Sequence, residues 1–203
     1  MKRRTLDIIF SVGGVLLAAL LLVMGLVLQN QANFAHNYVA DQLTAQRITF
    51  TPVAGLTPEE KKVDCLVKDA GNALVSGKQA ECYANEYIAL HVKEINAGKT
   101  YSETSTESRA AKAAADGAVK ANPDAPATLI LVNKSKALDG QTQSLFRGET
   151  LRGLLLTSYG FSIFGERAEQ AAWVCFGAAL ILALASIAGF VHAFTTSKDE
   201  VVG

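Results

Sequence analysis

The sequence has no surplus of charge. Nineteen Lys and Arg offset nineteen Asp and Glu, which removes the basic face that nucleic-acid binding needs. Catalytic and metal-binding signatures are also missing. The three cysteines form no CxxC or CxxCH pair. The three histidines, His36, His91 and His192, lie far apart, with no ligand at recognised spacing. That excludes the usual haem, iron–sulfur and zinc patterns. No GxGxxG, Walker or GxSxG string occurs, and the string GETLRG around Gly148 is not followed by the lysine that a nucleotide loop needs. No catalytic, cofactor-binding or metal site is therefore expected. An apolar fraction of 50% with 19% charged residues argues equally against wholesale disorder.

The charge that exists is strongly segregated. Residues 8–35 and 170–197 contain no Asp, Glu, Lys or Arg. The first apolar run, Ile8 to Leu28, makes roughly 31 Å of helix, the thickness of a hydrocarbon core. The second, Ala171 to Phe194, is slightly longer. Trp173, Phe190 and Phe194 stand where aromatic residues meet the interfaces. The expected fold is a mainly α membrane protein: two transmembrane helices (8–28 and 171–194) flanking an extracytoplasmic domain (29–170).

Lys2, Arg3 and Arg4 precede the first run, and the next basic residue is Arg47. The positive-inside rule puts residues 1–7 in the cytoplasm, and a second span returns residues 195–203 to the same side. A cleaved signal peptide is the competing reading of a KRR start. Its apolar region is shorter, however, and ends at a small-residue site that Leu28-Gln29-Asn30-Gln31-Ala32 does not supply. Such short tails leave no room for a cytoplasmic signalling domain. With fifteen basic and sixteen acidic residues in 29–170, the outer domain is near neutral.

Within that domain, Gln29 to Gln46 continues the first helix, and Ile48 to Gly55 with Pro52 breaks it. Thr57-Pro58-Glu59-Glu60 supplies an N-cap, a proline at N1 and Glu at N3. Val63, Leu66, Val67, Ala70, Ala73 and Leu74 then predict one amphipathic helix ending at Gly77. A second helix is expected from about Gln79 to Asn96. Cys65 and Cys82 fall on these two helices. Outside the cytoplasm they read as a disulfide rather than as buried thiols, while Cys175 reads as a packing residue inside the second span.

Tyr101 to Ser108 reads as a loop leading into an Ala-rich helix over Glu107 to Lys120, broken at Asn122-Pro123-Asp124-Ala125-Pro126. Thr128 to Val132 (TLILV) is β-like, either an extended buried segment or a strand. In Leu138 to Phe164, twelve uncharged residues from Gly153 to Phe164 are too short to span. They form an interfacial or partner-docking segment, or else close the domain's own core.

Ion pathways need charged groups within the membrane, and neither run contains one. Both runs do carry small residues four apart: Gly14 with Ala18, Ala179 with Ala183, and Ala185 with Gly189. Such faces let helices approach closely. The second run lacks proline, unlike the polysaccharide chain-length regulators that share this layout. Two functional classes remain. One is a non-catalytic accessory or assembly subunit of a larger plasma-membrane complex. The other is a homo-oligomeric membrane scaffold or channel.

The opening KRRTLDIIFSVGG, the Cys65 and Cys82 domain and the segment LFRGETLRGLLLTSYGFSIFGERA (145–168) resemble a family of actinobacterial two-span proteins, that of the association factor of the mycobacterial cytochrome bcc–aa3 respiratory supercomplex. The likeness of layout covers most of the chain. It implies an actinobacterial plasma membrane and integral-membrane partners of respiratory complexes III and IV. Haem and copper would belong to those partners, with no catalytic residue in this chain.

Overall fold

The computed structural model describes residues 2–195, so most of the expected tail over 195–203 lies outside the described residues. Six helices follow in order: α1 (Arg3–Ala45), α2 (Asp64–Asp69), α3 (Gly77–Cys82), α4 (Ala89–Lys93), α5 (Tyr101–Ala121) and α6 (Pro126–Thr195). A π-helical stretch, Tyr83–Ile88, joins α3 to α4, and short 3-10 turns occupy Val53–Gly55, Glu60–Lys62 and Ile95–Gly98. No strand is present among the described residues. Thr49 and Ala73 make one isolated antiparallel bridge. The chain divides into two compact units, one of residues 1–38 with 162–203 and one of Val39–Phe161.

In the first unit, α1 and α6 lie antiparallel. Gly14 faces Ser186, Gly189 faces Ser11, Gly25 faces Phe176 and Gly165 faces His36. The buried positions recur every seven residues: Ser11, Ala18, Gly25 and Ala32 on α1, and Gly165, Ala172, Ala179, Ser186 and Ala193 on α6. A seven-residue repeat keeps one stripe of each helix facing the other. Because every residue of these two stripes is small, the backbones come close. A Cβ added at Gly14 would collide with Ser186 Oγ, and one at Gly25 would stand 2.5 Å from the Phe176 ring.

The second unit has an apolar core built around Leu43, Phe50, Leu66, Leu74, Ala84 and Leu155. Its first helices are shorter than the periodicity predicts. Thr57 and Glu60 do form reciprocal capping bonds, Thr57 N–H to Glu60 Oε2 at 2.7 Å and Glu60 N–H to Thr57 Oγ1 at 3.2 Å. Val63 then leaves the helical region (φ −99°, ψ 106°), and α2 runs only six residues. Gly71, at φ +76°, reverses the chain. Residues 72–74 thereby bond back to 48–50, with Phe50 N–H donating to Asn72 O and Leu74 N–H to Ile48 O, both at 2.9 Å. Leu74 joins the core from an extended segment, not from the helix expected to reach Gly77. The second expected helix begins at Gly77 under a Ser76–Gln79 capping box and ends with α4 at Lys93.

Two further expectations are corrected. Tyr101 to Ser108 is helix rather than loop, because Thr100 caps α5 in a box with Glu103. Hydroxyls disfavoured inside a helix are strong at its start. The β-like Thr128 to Val132 is the opening of α6, with Pro126 as its first residue. Leu129 and Ile130 there are exposed, so neither a strand partner nor burial holds this segment extended. In Leu138 to Phe164, Leu155 and Leu156 pack into the core, while Leu154 remains 62% exposed. The segment closes the core with one face and leaves another uncovered.

Removing the α5 cap gives a direct check on this reassignment. Thr100→Ala is expected to cost about 1 kcal/mol, read as a lower thermal midpoint, and no change would mean that the helix start is held elsewhere. Acid should weaken the same end. Glu103 is held below its ordinary 4.5 by its bonds to Thr100 N–H and hydroxyl, and Glu107 by Lys99 and Asn96. A depressed carboxylate stabilises the fold above its unfolded value and loses that contribution as pH falls below about 4.5.

Candidate functional site

Two surfaces stand out, one in each unit. In Val39–Phe161 the disulfide Cys65–Cys82 joins α2 to the last residue of α3, across a separation of seventeen residues. The π-helical stretch follows immediately. Such a stretch rotates the register of side chains and is frequent at functional sites. Here it sends Tyr83 and Tyr87 along one side towards His91. The Tyr83 and Tyr87 rings lie 4.7 Å apart and the Tyr87 and His91 rings 4.5 Å apart, with Phe50 edge-on to Tyr83. Burial raises the Tyr83 phenol above its ordinary value, with Tyr87 adding to the shift. Thr51 Oγ1 donates to the Tyr87 hydroxyl at 3.2 Å.

Glu60 lies at this cluster and is 3% exposed. One carboxylate oxygen is held by Thr57 N–H. The other, Oε1, is buried without a hydrogen bond and lies 3.8 Å from His91 Nε2. His91 Nδ1 lies 2.9 Å from the Tyr87 carbonyl oxygen. A carbonyl only accepts, so Nδ1 donates this bond, and Nε2 is the ring nitrogen that faces Glu60. From the sequence, Glu60 reads only as a capping residue. Nothing in the spacing of residues 60 and 91 signals that they meet.

Lys78, Glu81, Asn85 and Glu86 share a cleft with Cys65 and Cys82. Lys78 is held above its ordinary value by hydrogen bonds to Glu81 and then Tyr159. Arg152 reaches Glu149 at 3.3 Å and Asn85 at 3.4 Å.

The second surface is the outside of the antiparallel pair. Of the most apolar eighteen-residue stretch in each helix, only 22% is buried in α1 and 11% in α6. A core helix of a water-soluble domain would be mostly covered. Leu16, Val23, Trp173, Ile181 and Leu184 all point outward. Both helices are long and apolar enough to cross a membrane.

Of the small residues singled out from sequence, Gly14, Ala18, Ala179 and Gly189 come together between the helices. Ala183 is half-buried and Ala185 is exposed. Ser11, Gly25, Ala32, Gly165, Ala172, Ser186 and Ala193 complete the seam and were not anticipated. The signal that finds them is a seven-residue recurrence of small residues rather than pairs four apart. At one end of the pair His192 Nδ1 meets Asp7 at 2.9 Å, and the Arg4 guanidinium lies 5.6 Å from the centre of the Phe194 ring. Cys175 carries a free thiol and is half-buried. Among the described residues, no three His, Cys, Asp or Glu side chains converge as a metal cluster. No protein-family model, curated protein or solved structure matches the chain.

Proposed function

We propose that this chain is a two-span plasma-membrane protein acting as a non-catalytic accessory or assembly subunit of a larger membrane complex. The observation that carries the reading is the apolar outer surface of the α1–α6 pair, which water would not tolerate over so many adjacent residues. Lipid, or the helices of other subunits, would cover it. The disulfide supports an extracytoplasmic site for Val39–Phe161, since such bonds persist in oxidising compartments. Lys2, Arg3 and Arg4 favour a cytoplasmic N-terminus. The pairing of Arg4 with Phe194 is consistent with a C-terminus on the same side. The likeness to the actinobacterial respiratory association factor points to the cytochrome bcc–aa3 supercomplex as the assembly, with haem and copper in the partner subunits.

The small-residue seam favours an accessory subunit over a homo-oligomeric channel. It is already filled within one chain, and the outward faces offer no polar pore lining. Extraction in a mild detergent, a native gel and mass spectrometry of the band test the proposal. The chain is expected in a large complex with respiratory subunits. A monomer-sized particle overturns the accessory reading. A ring-like homo-oligomer that conducts ions after reconstitution replaces it with the channel.

A further inference from the structure

The Glu60–His91 pair has the local chemistry of half a metal site. A histidine that binds a metal through one ring nitrogen commonly donates the other N–H to a backbone carbonyl, which fixes the tautomer and orients the lone pair. The Tyr87 carbonyl does this for His91. A ligating carboxylate is held in turn by a donor on its second oxygen, as Thr57 N–H holds Glu60 Oε2 at 2.7 Å. The two supported side chains turn their remaining atoms, Oε1 and Nε2, towards each other at 3.8 Å. Oε1 has no hydrogen-bonding partner, and its ion-pair contact is with His91 Nε2.

A buried carboxylate oxygen without a hydrogen bond costs free energy unless something positive meets it, which a charged His91 ring or a cation held between the two side chains supplies. Two ligands on one tetrahedral ion, at bonds of about 2.1 Å, stand roughly 3.4 Å apart. The observed separation needs to close by only a few tenths of an ångström. The His91 side chain is 50% exposed and that of Glu60 is 4% exposed. An ion would therefore enter from solvent at His91 and keep its remaining positions for water.

We propose that Glu60 Oε1 and His91 Nε2 bind one divalent transition ion of the zinc–copper class. The imidazole and carboxylate donors select it over calcium or magnesium, which take all-oxygen sets. The ion would tie the Glu60–Lys62 turn to α4. With two protein ligands it binds more weakly than a structural zinc held by four. The role is independent of which complex the chain joins.

The full chain in detergent micelles, stripped with a chelator and dialysed, is titrated with Zn2+ by calorimetry. One ion per chain and a thermal midpoint raised by Zn2+ are expected. His91→Ala and Glu60→Gln should each weaken binding at least about tenfold, since losing even a supporting group near a metal costs that much. His36→Ala and His192→Ala should leave the affinity unchanged. Gln at position 60 keeps the cap, and His91→Gln, at a half-exposed position, provides a second folded variant. An intact disulfide and unchanged helical circular dichroism check the fold of each. Absence of saturable binding, or binding that survives both ligand substitutions, overturns the proposal.

Discussion

Replacing Cys65 and Cys82 together with alanine is expected to lower the unfolding free energy of the Val39–Phe161 unit by about 3 kcal/mol, the loop-closure entropy of a bridge of this span. The separation is seventeen residues. Local structure cannot make up the loss. Helix α2 has six residues, far below the length at which a helix survives alone, and α3 is the opening of a helical run that ends at Lys93. What holds them is packing of Leu66 and Ala80 into the core and the bridge between them. Without the bridge, the extended residues 72–74 lose their anchored flanks and Leu74 its fixed place beside Phe50. Thermal unfolding of the full chain, with and without reductant, makes the measurement. Reduction should move the midpoint down by roughly 10 °C and reproduce the double substitution. An unchanged midpoint with both thiols shown to be free would mean that the core alone sets the stability.

The sequence made the two long apolar helices legible because a charge-free run of that length is a compositional signal that survives any tertiary context. The disulfide was legible for a similar reason, as a pairing of two cysteines in a domain assigned to an oxidising side. Helix ends are less legible. Thr57-Pro58-Glu59-Glu60 does cap, yet a cap sets where a helix starts and not how far it runs. The apolar spacing from Val63 to Leu74 fits a helix. It equally fits a short helix, a glycine reversal at Gly71 and an extended return, and only the bonds between 48–50 and 72–74 decide between them.

Thr128 to Val132 shows the opposite error. Its β-branched residues suggest a strand, but Pro126 at the first helical position and continuity with the helix beyond prevail over local preference. Glu60 and His91 were invisible as a pair. Their approach depends on how the capped turn folds against α4, and no linear spacing encodes it.

The seam between α1 and α6 carries the second large effect. Gly25→Leu and Gly165→Leu are each expected to destabilise the helix pair by about 1–3 kcal/mol, the usual cost of inserting a side chain where a well-packed site has no room. At Gly25 the added Cβ would stand 2.5 Å from Phe176 Cε1. At Gly165 it would meet His36 Cδ2 at 2.7 Å and Ala35 Cβ at 3.0 Å. Rotating one side chain does not relieve the second clash, because Ala35 has nothing to rotate. The two sites face different partners along the pair, so the double substitution should come close to the sum of the singles.

Gly13→Leu and Gly177→Leu serve as controls, since a Cβ at either meets nothing within 4 Å. Between helices in lipid, close approach of small residues supplies much of the attraction that water supplies elsewhere. The destabilisation should therefore persist in detergent micelles, read as a lower midpoint for loss of helical circular dichroism. Seam variants that melt together with the controls would show that α1 and α6 do not depend on close packing. A selective loss in the seam variants would establish the seven-residue stripe of Ser11, Ala18, Gly25 and Ala32 as the contact that holds the pair.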